Sequence, residues 1–236
     1  MNLWKKSQRK KVRKMTEIVL ASNNKKKIIE MRDLLKAAGD VNVLSLQAIN
    51  FNDEIVEDGT SFEENSLIKA STPAKLGYIG VADDSGLAVD YLGGAPGIFS
   101  ARYSGEGATD ESNREKLFKE LEGVPTEDRT ARFVCAASLV LPENCPFRVP
   151  EKWRISEELS KKTGIPAERA MVVRGEVHGY ILEEERGEGG FGYDCMFWYP
   201  DFGCTLAEVT PEQKASVSHR GKAMREFTAR FVEMLK

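Results

Sequence analysis

The sequence predicts an α/β fold whose sheet is at least partly antiparallel. Near the N-terminus, a short apolar run at 17–22 is followed by apolar residues at helical spacing over 28–35, a pattern typical of a strand followed by a helix. Two long β-prone runs, at 130–141 and 171–185, are too long for tight parallel units. They favour an extended, partly antiparallel sheet.

Four further segments predict helices, at 61–76, 112–121, 156–162 and from 210 towards the C-terminus. The first begins at a capping box formed by Thr60 and Glu63. The last begins at a capping box formed by Thr210 and Gln213, with Pro211 at the first helical position. It then carries apolar residues at helical spacing, which predicts a final amphipathic helix.

The charge of the chain is divided unevenly. The first 15 residues contain seven basic and no acidic residues, and the remainder contains 27 basic and 37 acidic residues, a net charge of −10. An acidic body argues against non-specific nucleic-acid binding, which needs a basic surface. The basic segment 1–15 is interpreted either as an RNA-attracting tail or as a translation start placed too early. The second interpretation is favoured by Met15, which directly precedes the first predicted strand.

The length of 236 residues and the 41% hydrophobic content are sufficient for a sizeable buried core. No apolar segment of signal-peptide type follows the basic stretch, and no run reaches membrane-spanning length. The four cysteines show no CxxC spacing, which makes a zinc site an unfavoured interpretation. We therefore expect a cytoplasmic protein with reduced thiols.

An apolar run at 78–82 leads into the segment 83–86 (DDSG), which predicts an acidic turn at a strand end. Adjacent carboxylates such as Asp83 and Asp84 repel one another, and a bound divalent cation offsets this repulsion. Magnesium takes one or two carboxylates together with substrate phosphates, so these two residues and Glu57 are sufficient for a metal site. A bland Asp/Ser/Gly turn without a ligand is the commoner interpretation of such a segment alone.

Two other polar features are candidates for binding anions. The segment 22–27 (SNNKKK) joins a predicted strand to a predicted helix, where backbone N–H groups and lysines can bind an anion. It lacks the spacing of a P-loop, and a solvated first helical turn is the alternative. Asn65 and Lys69 share one helix face, although such pairs are usually only solvated.

The segment 187–192 (GEGGFG) matches G-x-G-x-x-G, but no crossover helix follows, so we reject a dinucleotide-binding site. A flexible loop that presents Phe191 and Tyr193 to a flat base, with Asp194 beside them, is the alternative. Three basic residues cluster around the start of the last helix, namely Lys214, His219 and Arg220. Such a cluster suits a phosphate or a carbonyl-bearing base.

Five segments occur in one order: LASNNKKK, EDGTSFEENSLIKA, VADDSGLAVDYLGGAPGIFSARYSG, GGFGYD and KASVSHRGKA. Together they resemble the Ham1-like inosine triphosphate pyrophosphatases, which act on non-canonical purine nucleotides. The resemblance implies a long curved mixed β-sheet with flanking helices in two lobes, an active site in the cleft between them, and a homodimer. It implies a single catalytic domain over 16–236, with an atypical insertion near 142–170.

The family converts ITP, dITP and XTP to the monophosphate and pyrophosphate with magnesium. The resemblance therefore implies that Asp84 activates the water, with Glu57 and Asp83 assisting the metal. It implies substrate contacts on the phosphate side by Ser22, Asn23, Asn24, Lys25, Lys26, Lys27, Lys69 and Ser85. It implies substrate contacts on the nucleoside side by Phe191, Gly192, Tyr193, Asp194, Lys214, His219 and Arg220.

Selectivity for a 6-oxo purine can come from donors such as His219 or Arg220 that bond O6 and have no partner on a 6-amino group.

Three other functions stay open. The chain can be a pyrophosphatase for modified pyrimidine or methylated nucleotides, a non-catalytic nucleotide-binding protein, or an RNA-binding protein that uses segment 1–15. The segment 142–170 can be a lid, a dimer element or a surface excursion.

Overall fold

The computed structural model describes residues 16–22, 25–35 and 41–235, apart from the side chains at 25–27, 30 and 34. The described strands are β1 (Thr16–Leu20), β2 (Val41–Ser45), β3 (Ile79–Val89), β4 (Thr130–Val140), β5 (Ala170–Ile181), β6 (Phe197–Tyr199) and β7 (Cys204–Thr205). The described α-helices are α1 (Lys25–Leu35), α2 (Phe62–Lys75), α3 (Asp110–Glu120), α4 (Glu157–Thr163), α5 (Pro211–Val217) and α6 (His219–Met234).

The strands form one mixed sheet in the order β2-β1-β3-β4-β5-β6-β7. β1 pairs in parallel with β2 and β3, and every later neighbour pairs antiparallel. The long central strands β3, β4 and β5 carry most of the ladder. The predicted α/β class with a mixed sheet and flanking helices is confirmed.

The segment 83–86 is not a turn. β3 continues through it, and ten consecutive residue pairs with β4 fix its backbone from Gly80 to Val89. Asp and Gly are disfavoured in strands by local propensity, but this long ladder outweighs that preference. The prediction of an acidic turn at a strand end was therefore wrong, and both carboxylates project from the middle of a strand.

Successive side chains of a strand point to opposite faces of the sheet. Val81 packs in the core cluster with α1 and α6, whereas Ala82 packs in the cluster with α2 and α4. The register of β3 has no interruption, so Asp83 follows Val81 onto the α6 face. Asp84 follows Ala82 onto the α2 face.

The helix predicted over 61–76 is α2, but its cap lies one residue further along than predicted. Ser61 is the N-cap and accepts a hydrogen bond from the Glu64 N–H at 3.2 Å. The Glu64 carboxylate accepts from the Thr60 N–H at 2.7 Å. The predicted pair of Thr60 and Glu63 therefore does not cap this helix.

The C-terminal region contains two helices. The predicted capping box is confirmed, because Gln213 N–H donates to Thr210 Oγ1 at 3.2 Å and Thr210 N–H donates to Gln213 Oε1 at 2.9 Å. The chain then changes direction at Ser218, whose side chain caps α6. The start of α6 thus brings its first residues to the sheet.

The segment 142–170 packs on the outer side of α2. Ile155 and Ile165 join Leu67 and Ala70 in one apolar cluster, and the predicted helix over 156–162 is α4. Among the described helices, none has the length and apolar character needed to cross a membrane.

Candidate functional site

Lys69 joins two of the predicted acidic residues. Its Nζ lies 2.8 Å from Asp84 Oδ1 and 3.0 Å from Glu57 Oε2. The side chains of Lys69 and Asp84 are each 13% exposed, and that of Glu57 is 31% exposed. The three residues come from α2, from the middle of β3 and from the loop before α2, so this acidic group is built largely on regular elements.

The electrostatics of the group favour a charged lysine and a basic carboxylate. Burial raises the pKa of Asp84, the Lys69 ammonium opposes this, and Glu57 and Asp83 add to the rise, so that the pKa lies above its usual value. Burial would lower the pKa of Lys69, but its two carboxylate partners outweigh burial and raise it. Asp84 is therefore a stronger proton acceptor than an exposed aspartate.

The loop that carries Glu57 is bound to the first turn of α2. Glu64 Oε2 accepts hydrogen bonds from the Thr60 N–H at 2.7 Å and from its hydroxyl at 2.9 Å. Asn65 Oδ1 accepts from the Gly59 N–H at 2.9 Å. A Cβ at Gly59 would lie 2.7 Å from that same oxygen, so only glycine fits. Glu64 and Asn65 are both buried, and the loop is fixed at two consecutive residues.

Asp83 belongs to a different group. Its Oδ2 lies 3.3 Å from Arg220 Nη1, and its side chain is 3% exposed. This ion pair lies on the α6 face, opposite to Asp84, so the structure does not bring Asp83 to the Glu57 and Asp84 carboxylates. Ser85 is exposed, and strand alternation gives it the same face as Asp83.

The phosphate-side residues near α1 are only partly described. The Ala21 N–H donates to the Val81 carbonyl of β3 at 2.7 Å, and the Ser22 N–H donates to the Leu20 carbonyl at 2.7 Å, so Ser22 directly follows the paired end of β1. Asn23 and Asn24 lie outside the described residues. The backbone of α1 begins at Lys25, but the side chains of Lys25, Lys26 and Lys27 also lie outside them.

The loop between β5 and β6 exposes one aromatic ring. Phe191 is 79% exposed, and Lys214 Nζ lies 4.6 Å from the centre of its ring. Asp194 is buried, forms an ion pair with Lys214, and accepts a hydrogen bond from the Phe191 N–H at 2.8 Å. The predicted nucleoside-side residues Phe191, Asp194 and Lys214 therefore form one group.

Tyr193 and Gly192 support this loop from beneath and from the side. Tyr193 is 5% exposed in the apolar core, and its hydroxyl donates to the Ser100 carbonyl at 2.8 Å. It presents no ring surface to a ligand, which corrects the prediction that Tyr193 stacks on a base. The backbone of Gly192 contacts Asp110 and Arg114 of α3.

His219 is fixed at the start of α6. Its ring stacks on Phe133 at 5.0 Å between centroids with an interplanar angle of 15°. Gly175 of β5 lies directly beneath, because a Cβ there would be 2.2 Å from the His219 carbonyl oxygen. Arg220 follows in the first turn of α6 and pairs with Asp83 as described.

Sequence reasoning missed four residues that support these groups: Glu64, Asp110, Arg114 and Phe133. It singled out Asn65 as a candidate for binding anions, whereas in the structure Asn65 accepts a hydrogen bond from the Gly59 N–H. The spacing of Ser61 and Glu64 is itself that of a capping box, so a signal for Glu64 was present. The contact between Asp110 and Gly192 spans 82 residues and has no local signal. In the part of the chain that the structure describes, no three Asp, Glu, His or Cys side chains converge into a ready metal cluster.

Comparison with known proteins identifies the family. Residues 18–230 match the model of the Ham1 family. The chain belongs to the Ham1 family. It is 43% identical over 216 residues to a dITP/XTP pyrophosphatase of Bacillus licheniformis, with 91% of this chain and 97% of that protein covered. It is 44% identical over 216 residues to a dITP/XTP pyrophosphatase of Vibrio parahaemolyticus, with 91% and 96% covered.

The fold of a solved Ham1 family member agrees with this assignment. The structure of the Staphylococcus aureus Ham1 protein superposes with a TM-score of 0.78 at 36% identity, covering 94% of this chain and 100% of that protein. The mixed sheet with flanking helices is therefore the Ham1 fold.

Proposed function

We propose that this Ham1 family protein hydrolyses non-canonical purine nucleoside triphosphates, namely ITP, dITP and XTP, to the monophosphate and pyrophosphate. The observation that carries the proposal is the Lys69 ammonium held between the Glu57 and Asp84 carboxylates. It unites an acceptor for a proton with a cation for phosphate charge. The relatives named dITP/XTP pyrophosphatases support the choice of substrate.

Asp84 is the group that accepts the proton from water. One of its oxygens is engaged by Lys69, and its raised pKa improves it as a general base near neutral pH. The water oxygen bonds to the α-phosphorus, the bond from that phosphorus to the α,β-bridging oxygen breaks, and pyrophosphate leaves. Lys69 stabilises the negative charge that spreads over the phosphate oxygens in this step.

The donor set fits magnesium. Glu57 and Asp84 both contact Lys69, so their hard carboxylate oxygens, the ligand type that Mg²⁺ prefers, lie close together. When bound, magnesium neutralises charge on the triphosphate and its leaving group. Asp83 is not assigned to the metal in this proposal, because it lies on the other face of the sheet, where it pairs with Arg220.

The nucleoside side selects the base. Phe191 offers an exposed ring for stacking, while Asp194 and Lys214 supply an acceptor and a donor beside it. His219 and Arg220 supply further donors at the start of α6, which can bond the O6 acceptor of a 6-oxo purine. Gly192 belongs to the loop backbone that carries this group. Ser22, Ser85 and the residues 23–27 are assigned to the phosphates and sugar.

A substrate panel tests this function. ITP, XTP, dITP, ATP, GTP and dTTP are each supplied with Mg²⁺, and pyrophosphate and monophosphate are measured. We expect kcat/KM for ITP, dITP and XTP, which carry a 6-oxo group and no 2-amino group, to exceed that for ATP by about 100-fold or more. Comparable turnover of ATP and ITP would show that the enzyme does not select 6-oxo purines. Binding without release of pyrophosphate would favour the non-catalytic alternative.

Two further parts of the proposal concern assembly and location. We propose a homodimer, which light scattering on purified protein measures directly, and a cytoplasmic location. Removal of residues 1–14 addresses the RNA-binding alternative. Retained hydrolysis and an unchanged melting temperature would mean that the basic segment is dispensable for the enzyme.

A further inference from the structure

The segment 187–192 of the loop between β5 and β6, which carries Phe191, is attached mainly through polar contacts. The loop leaves the sheet after β5, and its outer side faces α3 across a cavity of about 250 Å³ lined by residues of both. Because Phe191 itself is largely exposed, apolar burial does not fix its ring. Apart from Lys214, whose Nζ lies 4.6 Å from the centre of the ring, the position of the ring depends on the contacts of the loop backbone.

The inner side of the loop is anchored by Asp194. This buried carboxylate accepts the Phe191 N–H at 2.8 Å and pairs with Lys214. A Cβ on Gly190 would lie 2.3 Å from Asp194 Oδ2. The backbone on the N-terminal side of the ring is therefore held closely against Asp194.

The outer side is anchored by two residues of α3, Asp110 and Arg114, which we name the Gly192 clamp. Asp110 Oδ2 accepts the Gly192 N–H at 2.8 Å, and Arg114 Nη1 donates to the Gly192 carbonyl at 3.1 Å. Arg114 Nε also donates to Glu185 Oε1 at 2.7 Å, at the start of the loop. Both polar atoms of the residue after Phe191 are thus bound by charged groups one helical turn apart.

α3 is itself fixed to the strand that carries the acidic group. Asn113 is buried, donates to the Ala101 carbonyl at 3.2 Å and accepts from the Ser104 N–H at 2.7 Å. The neighbouring Ser100 hydroxyl accepts from the Leu87 N–H of β3 at 2.8 Å. A continuous set of contacts therefore runs from β3 through α3 to the loop.

We propose that the Gly192 clamp positions the Phe191 ring for the purine base, so that Asp110 and Arg114 are positioning residues for substrate binding. The inference rests on the proposed function. The clamp orders the loop before substrate arrives, so its loss raises KM and leaves the chemical step at Asp84 unchanged.

The test compares clamp variants in two backgrounds, with Phe191 and with Phe191→Ala. With ITP, Asp110→Ala and Arg114→Ala are expected to raise KM about three- to tenfold, as loss of one hydrogen bond to Gly192 in each variant predicts, with kcat within about twofold. Asp110→Asn keeps an accepting oxygen and should restore most of the wild-type KM. Glu115→Ala, an exposed acid on the same helix, is the matched control.

The clamp acts through the ring only if its effect disappears when the ring is absent. Equal rises of KM in the Phe191→Ala background, or KM values equal to that of Glu115→Ala, would overturn the proposal. Hydrogen exchange of residues 187–192 provides a readout without substrate, and it should be faster in Asp110→Ala at unchanged melting temperature. A wild-type protein without pyrophosphate release would refute the proposed function, whereas an active wild type with unaffected clamp variants would refute the clamp alone.

Discussion

Two loops are assigned to the substrate in the proposed function, and both are held by a carboxylate from the first turn of a helix. The loop with Glu57 is held by Glu64 of α2, through the Thr60 N–H. The loop with Phe191 is held by Asp110 of α3, at the Gly192 N–H. Glu64 is buried, whereas Asp110 is exposed to solvent.

The difference in burial suits the different tasks that the proposed function gives to the two loops. A hydrogen bond to a buried charge is costly to break, because its loss leaves that charge unsatisfied. The Glu57 loop is therefore fixed, as a site for proton transfer and phosphate charge requires. The Phe191 loop combines a buried anchor, Asp194 at the Phe191 N–H, with the exposed anchor Asp110 at the Gly192 N–H, so only its outer contact can exchange with water.

The largest expected effect separates the two adjacent aspartates of β3. Asp84→Asn removes the proton acceptor, so kcat with ITP should fall by about 100- to 10,000-fold, the usual range for a general base. Asp83→Asn is the matched control, since it removes one charge from the same strand on the opposite face. It keeps an acceptor for Arg220, and we expect at most a roughly tenfold loss of kcat/KM.

Pyrophosphate release over a range of ITP concentrations gives kcat and kcat/KM for both variants, and thermal melting verifies that each is folded. Equal losses of kcat in the two variants would contradict the assignment of Asp84 alone as the water activator. Unchanged kcat in Asp84→Asn would remove the general base from the proposed mechanism.

The second effect concerns the exposed ring of the other loop. Phe191→Ala removes the stacking surface, and because base–aromatic stacking contributes about 1–3 kcal/mol, KM should rise roughly 5- to 150-fold. Phe202→Ala is a suitable control, since Phe202 is also an exposed phenylalanine and contacts Tyr199 instead of the loop. Steady-state kinetics with ITP give both constants. A fall of kcat at constant KM would mean that the ring acts on the chemical step.

The acidic group shows what the sequence could predict. Glu57, Lys69 and Asp84 were all singled out from the sequence, and the structure brings the three side chains together. Sequence reasoning did not predict that the segment 83–86 is a strand, because local propensity favours a turn and the ladder with β4 is a long-range interaction. That ladder is also what separates Asp83 from Asp84.

The base-side loop was less predictable. Phe191, Asp194 and Lys214 were found by their types and by resemblance, and they do meet. Tyr193 was assigned to stacking because an aromatic residue in a glycine-rich loop has no local mark of burial. The Gly192 clamp was missed, since its partners lie about 80 residues apart in the chain and only the folded sheet brings them together.

The smallest expected effect concerns Glu64, the buried anchor of the Glu57 loop, and it is seen in the pH dependence of the free energy of unfolding. Burial would raise the pKa of Glu64, but hydrogen bonds from Thr60 and from Lys162 outweigh it and lower the pKa. A carboxyl with a lowered pKa stabilises the fold above its unfolded pKa of about 4.3, and this stability is lost as pH falls through the folded pKa. Glu64→Gln should therefore reduce the free energy of unfolding at pH 7 by about 1–3 kcal/mol and flatten its decline below about pH 5.

Glu158→Gln, which removes the exposed second partner of Lys162, should leave the decline intact. Urea unfolding from pH 7 to pH 3 measures both, and parallel curves for wild type and Glu64→Gln would show that the Glu57 loop is held without this charge.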